Sequence, residues 1–245
     1  MSKLNPLATG GPPTMVALFS YGGVWPMTMI NTIRDLCGAA TAMGVISQRD
    51  DAQKLGFVPS GASKLMQPWQ VSLTIPHGDA LIDRARSICA RDFLKTTAEV
   101  LIMIDHDMEW AGAGADYEGD LLHVARLARE TKGIVGAVVS KRVKGEGVAT
   151  LFKEERILNM GQPELIEVFY QGSAFTACHR SAIEAVYETQ AEVGPGFKPI
   201  FLPCVVDHPG VPGEKLHLSE DWAFCHRAIR LGVKVYATTR PIIGH

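Results

Sequence analysis

The chain alternates between short apolar runs and longer stretches in which apolar residues recur at helical spacing. The apolar runs predict strands at 14–20, 71–75, 98–105 and 133–139. The helical spacing predicts helices at 26–44, 79–94 and 117–131. The run at 98–105 is apolar on both faces, which is typical of a central strand in a mostly parallel sheet. The repeated strand-helix order predicts an α/β fold with helices on both faces of that sheet.

The second half of the chain has shorter elements. Its pattern predicts strands at 149–152, 165–170, 174–178 and 233–238, and helices at 181–189 and 219–231. Gly232 follows the last helix as a cap. Residues 45–69 and 191–218 lack clear periodicity, and we interpret them as a variable connection and a long Pro/Gly-rich loop. In open α/β sheets, ligands bind at the carboxyl ends of the strands, so acidic residues at those ends are the first candidates for chemistry.

Composition and charge narrow the class of protein. The chain has 245 residues, of which 47% are hydrophobic and 20% charged, which fits one globular domain at 14–245 after a flexible 1–13. Its formal net charge of -2 gives no electrostatic reason to expect a nucleic-acid partner. The 5 cysteines form no CxxC pair, which argues against a disulfide framework or a zinc knuckle.

Targeting signals are missing from the pattern. The N-terminal stretch has no long apolar core, and apolar residues nowhere form an unbroken run long enough to span a membrane. We therefore expect a cytoplasmic protein with no membrane anchor of its own, or one in the host-cell cytoplasm if the chain comes from a phage.

Two aspartates follow the predicted central strand. Asp105 and Asp107 are separated by one residue, and Gly112 and Gly114 follow them. Two carboxylates at such a turn can reach one hard cation such as Mg²⁺ or Mn²⁺, which leaves open positions for phosphate oxygens. In the alternative interpretation, Asp107 caps the next turn and Asp105 bonds the loop backbone.

Two further candidates lie near the end of the chain. Glu220 and Asp221 fall in the first turn of a predicted helix for which Ser219 is the expected N-cap. Acids there are favoured by the helix dipole alone, but a carboxylate at a site edge can also act as a general base. His245 follows the last strand, and its imidazole could complete a metal site, although a lone histidine is more often a surface or core residue.

Four segments taken together resemble the GT-A glycosyltransferases, particularly family 2-like members, over residues 14–245. They are Ile-Asp-His-Asp-Met at 104–108, Gln-Gly-Ser-Ala-Phe at 171–175, Ser-Glu-Asp-Trp-Ala-Phe-Cys at 219–225, and Gly-Val-Lys-Val-Tyr at 232–236 leading to Gly-His at 244–245. The resemblance implies a Rossmann-like sheet in a single domain. Its 14–142 half would bind the nucleotide sugar, and its 143–245 half would hold the acceptor and the catalytic groups.

The resemblance also implies the metal and catalytic roles. Asp107 would ligate Mn²⁺ or Mg²⁺, with His245 as a further metal ligand. Asp105 would contact the ribose or the metal, through water in the second case. Asp221 would be the catalytic base of an inverting transfer, with Glu220 beside it.

Two more residues match the family's donor site less closely. Tyr21, just after the first strand, stands where family members hold the nucleobase. Arg86 would pair with a donor phosphate or with Asp107. Family members have Asn after the Ala-Arg pair, whereas this chain has Ser87.

The sequence therefore predicts a hexosyltransferase that moves a sugar from a nucleotide donor, with a UDP-sugar favoured, to an acceptor hydroxyl. The acceptor stays open among glycan, lipid, protein and a modified DNA base, and so does the oligomeric state. The alternatives are a retaining transferase, a non-catalytic nucleotide-sugar-binding module and a nucleotidyltransferase. The last class generally uses a basic Gly-rich first loop, and residues 20–25 contain no Lys or Arg.

Overall fold

The computed structural model describes residues 14–19, 71–74, 81–110, 119–140 and 147–244. The predicted helix at 26–44 lies outside these residues, as do Tyr21 and His245.

Four helices and eleven strands are present in the described ranges. The helices are α1 (Ile82–Leu94), α2 (Asp120–Thr131), α3 (Arg180–Thr189) and α4 (Glu220–Arg230). The strands are β1 (Thr14–Phe19), β2 (Val71–Thr74), β3 (Val100–Asp105), β4 (Glu109–Trp110), β5 (Ile134–Val139), β6 (Thr150–Phe152), β7 (Leu165–Gln171), β8 (Phe175–His179), β9 (Cys204–Asp207), β10 (Lys215–Leu218) and β11 (Val235–Gly244). No helix in this part of the chain has the length and apolar character that crossing a membrane requires.

The central sheet is mixed, and most of its strands run in one direction. Its order is β2-β1-β3-β8-β5-β11-β7-β6, and β4 pairs with β11 off that path. The strands that share one direction are β1, β2, β3, β5, β6 and β11, whereas β4, β7 and β8 run the opposite way. The predicted mostly parallel sheet is therefore confirmed, with β8 inserted antiparallel between β3 and β5.

Helices cover both faces of the sheet because the central strands are apolar on both sides. Along β3, Leu101 and Met103 face the cluster that contains α1, α3 and α4. Ile102 and Ile104 face the second cluster, which contains α2. All four side chains are fully buried, and burying each of them contributes roughly 1.5–3 kcal/mol. The predicted placement of helices on both faces is confirmed.

Several predicted boundaries are wrong. The expected loop at 191–218 contains β9 and β10, which form an antiparallel two-stranded sheet. The alternation of apolar and polar residues in these two strands is short and lies between Pro and Gly residues. The sequence pattern therefore did not reveal the strands. The last strand, predicted to end at residue 238, extends to Gly244 as β11. It continues through an irregularity between Thr238 and Ile243 and pairs there with β4, which the sequence did not predict.

Three chain segments meet at the carboxyl end of β3. Phe19 and Asp105 are register partners, so β1 and β3 end side by side. The antiparallel β8 begins opposite Ile104 with Phe175. Ser173, just before β8, donates its backbone N–H to Asp221 in α4, which brings the start of that helix to the same edge.

Candidate active site

The turn after β3 holds both predicted donor-side acids. Asp105 and Asp107 are half-buried, and the Met108 N–H closes the turn on the Asp105 carbonyl at 3.3 Å. The Asp105 N–H donates to the Ala174 carbonyl at 2.9 Å, which fixes the turn against the segment before β8. Asp105 and Asp107 are therefore at the edge where α/β sheets bind ligands.

A buried arginine joins this turn to the start of α4. The Arg86 side chain is 2% exposed, and it lies on α1. One terminal nitrogen donates to Asp105 Oδ1 at 2.7 Å, and the other donates to Glu220 Oε1 at 2.6 Å. Its protein partners are therefore Asp105 and Glu220 and not Asp107, which the sequence suggested, whereas the predicted contact with a donor phosphate stays a prediction.

The charges around Arg86 explain its ionisation. Burial alone lowers the pKa of Arg86, but the carboxylates of Asp105, Asp221 and Glu220 outweigh that effect and hold the pKa above its ordinary value. Burial raises the pKa of Glu220, the neighbouring Asp221 raises it further, and Arg86 opposes both. Three carboxylates therefore share one arginine in this cluster.

Asp221 is held by hydrogen bonds from both sides. Its Oδ2 accepts the Ser173 backbone N–H at 3.1 Å, and its Oδ1 accepts the Trp222 N–H at 2.7 Å. The Ser219 hydroxyl also donates to Asp221 Oδ1. The prediction of Ser219 as the N-cap residue of α4 is confirmed, although its side chain makes no cap hydrogen bond to the helix backbone. Its hydroxyl is used by the nearby carboxylate instead.

The segment before β8 supports this arrangement, and the sequence assigned its residues no role. The Gln171 amide donates to the Ala137 carbonyl at 2.8 Å, and its oxygen accepts from Thr150 Oγ1 at 3.0 Å. Gly172 donates its N–H to the Ala149 carbonyl at 2.7 Å. The Gln-Gly-Ser turn was visible in the sequence as part of the resemblance, and that was the available signal.

Ser87 has a structural role. Its hydroxyl donates to the Asp83 carbonyl at 2.7 Å and accepts the Phe201 N–H at 3.3 Å. The side chain is fully buried, and it ties α1 to the segment before β9.

The structure thus brings together Arg86, Asp105, Glu220 and Asp221, with Asp107 two positions further along the same turn. Within the described ranges, no group of three or more His, Cys, Asp or Glu side chains could hold a metal ion. Tyr21 and His245 fall outside those ranges, so their roles stay predictions.

Comparisons with known proteins identify the fold. No protein-family model and no curated protein matches the chain. The crystal structure of A197 from STIV is 15% identical with a TM-score of 0.52, and the alignment covers 95% of this chain and 84% of that one. The crystal structure of GalNAc-T7 with UDP, GalNAc and Mn²⁺ is 11% identical with a TM-score of 0.52, and covers 96% of this chain and 44% of that one.

At these identities the likeness is one of fold. The chain has the Rossmann-like α/β fold of the GT-A type, with a mostly parallel sheet and helices on both faces, as predicted.

Proposed function

We propose that this chain is a metal-dependent glycosyltransferase that moves a sugar from a nucleotide donor, with a UDP-sugar favoured, to an acceptor hydroxyl. The observation that carries the proposal is the contact of one buried arginine with two predicted site acids. Arg86 lies 2.7 Å from Asp105, on the donor side, and 2.6 Å from Glu220, next to the predicted base. These acids are remote in sequence and converge at the edge where such sheets bind ligands.

On the donor side, Asp107 is the proposed ligand of Mn²⁺ or Mg²⁺, with His245 as a further ligand. Ions of this kind are commonly held by one or two carboxylates together with substrate phosphates, so a half-buried carboxylate at the strand end suits them. Asp105 is engaged by Arg86, which favours a contact with the ribose, or with the metal through water. The bound cation would offset the negative charge of the departing diphosphate.

The proposed nucleotide and metal are also supported by one solved structure of similar fold. GalNAc-T7 has the same fold, and its structure contains UDP and Mn²⁺. We therefore propose UDP as the nucleotide and Mn²⁺ as the metal for this chain, with Tyr21 as the residue that contacts the nucleobase. Residues 14–142 would supply the donor site, and residues 143–245 would supply the base and the acceptor side.

On the acceptor side, Asp221 is the proposed base, with Glu220 as its neighbour. Asp221 removes the proton of the acceptor hydroxyl, and the acceptor oxygen forms a bond to the anomeric carbon. The bond from that carbon to the diphosphate breaks, and its electron pair leaves with UDP, so the anomeric configuration inverts. The hydrogen bonds from Ser173 and Trp222 hold the carboxylate in one orientation for this step.

The proposal is tested by UDP release from a panel of UDP-sugars with Mn²⁺. We expect the wild-type chain to release UDP from at least one donor and Asp107→Ala to be slower by about 100-fold or more. The matched control is Asp92→Asn, which removes a partly exposed carboxylate that pairs with Lys95 on the surface. Absence of release from every donor, or equal rates in wild type and Asp107→Ala, would contradict the proposal.

The anomeric configuration of the product separates inversion from retention. Inversion is expected if Asp221 acts as the base, and NMR of the transferred or hydrolysed sugar measures it. A retained configuration would remove the base role and favour a retaining transferase. Formation of pyrophosphate from UTP and a sugar 1-phosphate would point to a nucleotidyltransferase.

A further inference from the structure

We infer that Arg86 is a positioning residue that fixes the donor-side turn and the catalytic start of α4 at one separation. This inference rests on the proposed function, in which Asp105 belongs to the donor side and Asp221 is the base. It assigns Arg86 to alignment of the two sides and not to direct binding of a donor phosphate.

The guanidinium of Arg86 is buried more deeply than the two carboxylates that it binds. Arg86 is 2% exposed, whereas the side chains of Asp105 and Glu220 are 27% and 19% exposed. A buried cation is tolerated only when it is paired, and here both terminal nitrogens are occupied by protein carboxylates. Because the side chain is 2% exposed and each terminal nitrogen already donates to a protein carboxylate, little of the guanidinium is open to a donor phosphate.

The shape of the guanidinium sets the spacing of the two carboxylates that it binds. The group is planar and rigid, and its two arms bind two different carboxylates instead of one in a fork. The distance between the Asp105 and Glu220 oxygens is consequently set by the guanidinium itself. A lysine at this position would keep the charge but lose that rigid spacing.

Two adjacent acids lie in the first turn of α4. Glu220 and Asp221 are neighbours of like charge, and Asp221 raises the pKa of Glu220. Arg86 offsets this repulsion from one side, and the backbone N–H of Ser173 binds Asp221 from another. Without Arg86, Glu220 loses its cationic partner, and the first turn of α4 loses the side-chain connection to β3.

The first experiment needs no substrate. Urea unfolding of Arg86→Met, Glu220→Gln and the double variant gives a double-mutant cycle. We expect the two single changes to overlap, so that the product of their separate fold-changes in the unfolding equilibrium constant exceeds the fold-change of the double variant by about 10-fold or more. Additive effects on the free energy of unfolding would contradict the coupling of Arg86 to Glu220. The control is Arg91→Met, which changes a partly exposed arginine on the same helix and should not couple to Glu220.

The second experiment separates donor binding from transfer. For Arg86→Lys and Glu220→Gln, we expect the rate at saturating UDP-sugar and Mn²⁺ to fall by about 10-fold to 100-fold, because misplacement near the reacting groups costs rate. Donor affinity, from titration calorimetry with UDP and Mn²⁺, should change by less than about threefold. Lost donor affinity with an unchanged saturated rate would overturn the positioning role and identify Arg86 as a donor ligand. Full activity of Arg86→Lys would also overturn it.

The two experiments distinguish the failure of this inference from failure of the proposed function. If the wild-type chain releases no UDP, the proposed function fails, and the unfolding cycle still decides whether Arg86 is coupled to Glu220. If Arg86→Met does not fold, a cycle with Arg86→Gln, which is polar but uncharged, gives the same decision.

Discussion

At the scale of single residues, Asp221 depends on the backbone that precedes β8. The Ser173 N–H that binds Asp221 follows Gly172, whose own N–H is bound by the Ala149 carbonyl. A Cβ on Gly172 would lie 2.8 Å from that carbonyl oxygen and 2.9 Å from the Ala149 Cβ. The glycine is therefore required by close packing of two backbone segments.

Gly172→Ala tests this requirement. We expect the free energy of unfolding to fall by roughly 1–3 kcal/mol, because the added methyl forces the two segments apart. UDP release should fall as well, since Ser173 moves with Gly172. The control is Gly194→Ala, where the added Cβ meets no atom within 4 Å. A Gly172→Ala variant as stable and as active as the control would refute the packing argument.

The sequence was sufficient to select some residues of the candidate site, but not to predict which residues contact them. Asp105 and Asp221 could be identified from their places after a buried strand and in a first helical turn. Arg86 and Glu220 are 134 positions apart in the sequence, and no local sequence pattern indicates a contact between residues so far apart. Ser219 shows the same limit, because a hydroxyl at an N-cap position can bind a side chain instead of the helix backbone.

At the scale of elements, Arg180 at the start of α3 anchors the end of α1, the helix that carries Arg86. Its guanidinium lies 4.7 Å from the Phe93 ring centroid. It donates to the carbonyl oxygens of Phe93, Leu94, Thr96 and Ala98. Most helices leave their last carbonyls to water or to a glycine cap, and here a side chain satisfies them.

Arg180→Ala tests this anchor. We expect a loss of about 2–3 kcal/mol in the free energy of unfolding, since hydrogen bonds from a charged group are lost and carbonyls near the helix end are left without their donor. Arg156→Ala is the control, because Arg156 makes a partly exposed ion pair with Glu164 and should change stability by less than about 1 kcal/mol. Urea unfolding of both variants measures the difference, and equal losses would contradict the anchoring role.

The spacing of apolar residues predicted the strands and helices of the first half of the chain more accurately than those of the second half. The period of β3 and α1 extends over enough residues to be recognised against the background. The strands β9 and β10 have four residues each, with one half-buried face, so their alternation is too short to separate from a loop. The continuation of β11 past Pro241 depends on its pairing with β4, which is a tertiary effect.

At the scale of the whole molecule, the sheet order explains why the site assembles. The antiparallel β8 lies between β3 and β5, and the turn before it carries Ser173 to the carboxyl end of β3. The alternation of strands and helices predicted the α/β class and the two covered faces. It could not predict the insertion of β8, because strand order is fixed by packing between distant segments.

The most direct test of the account is Asp221→Asn, measured for donor binding and for UDP release under the same conditions. The amide keeps the size of the side chain but cannot accept the proton of the attacking hydroxyl. We expect UDP and Mn²⁺ to bind with wild-type affinity while UDP release from the UDP-sugar falls by about 100-fold or more. A variant that binds the donor and releases UDP at the wild-type rate would contradict the assignment of Asp221 as the base.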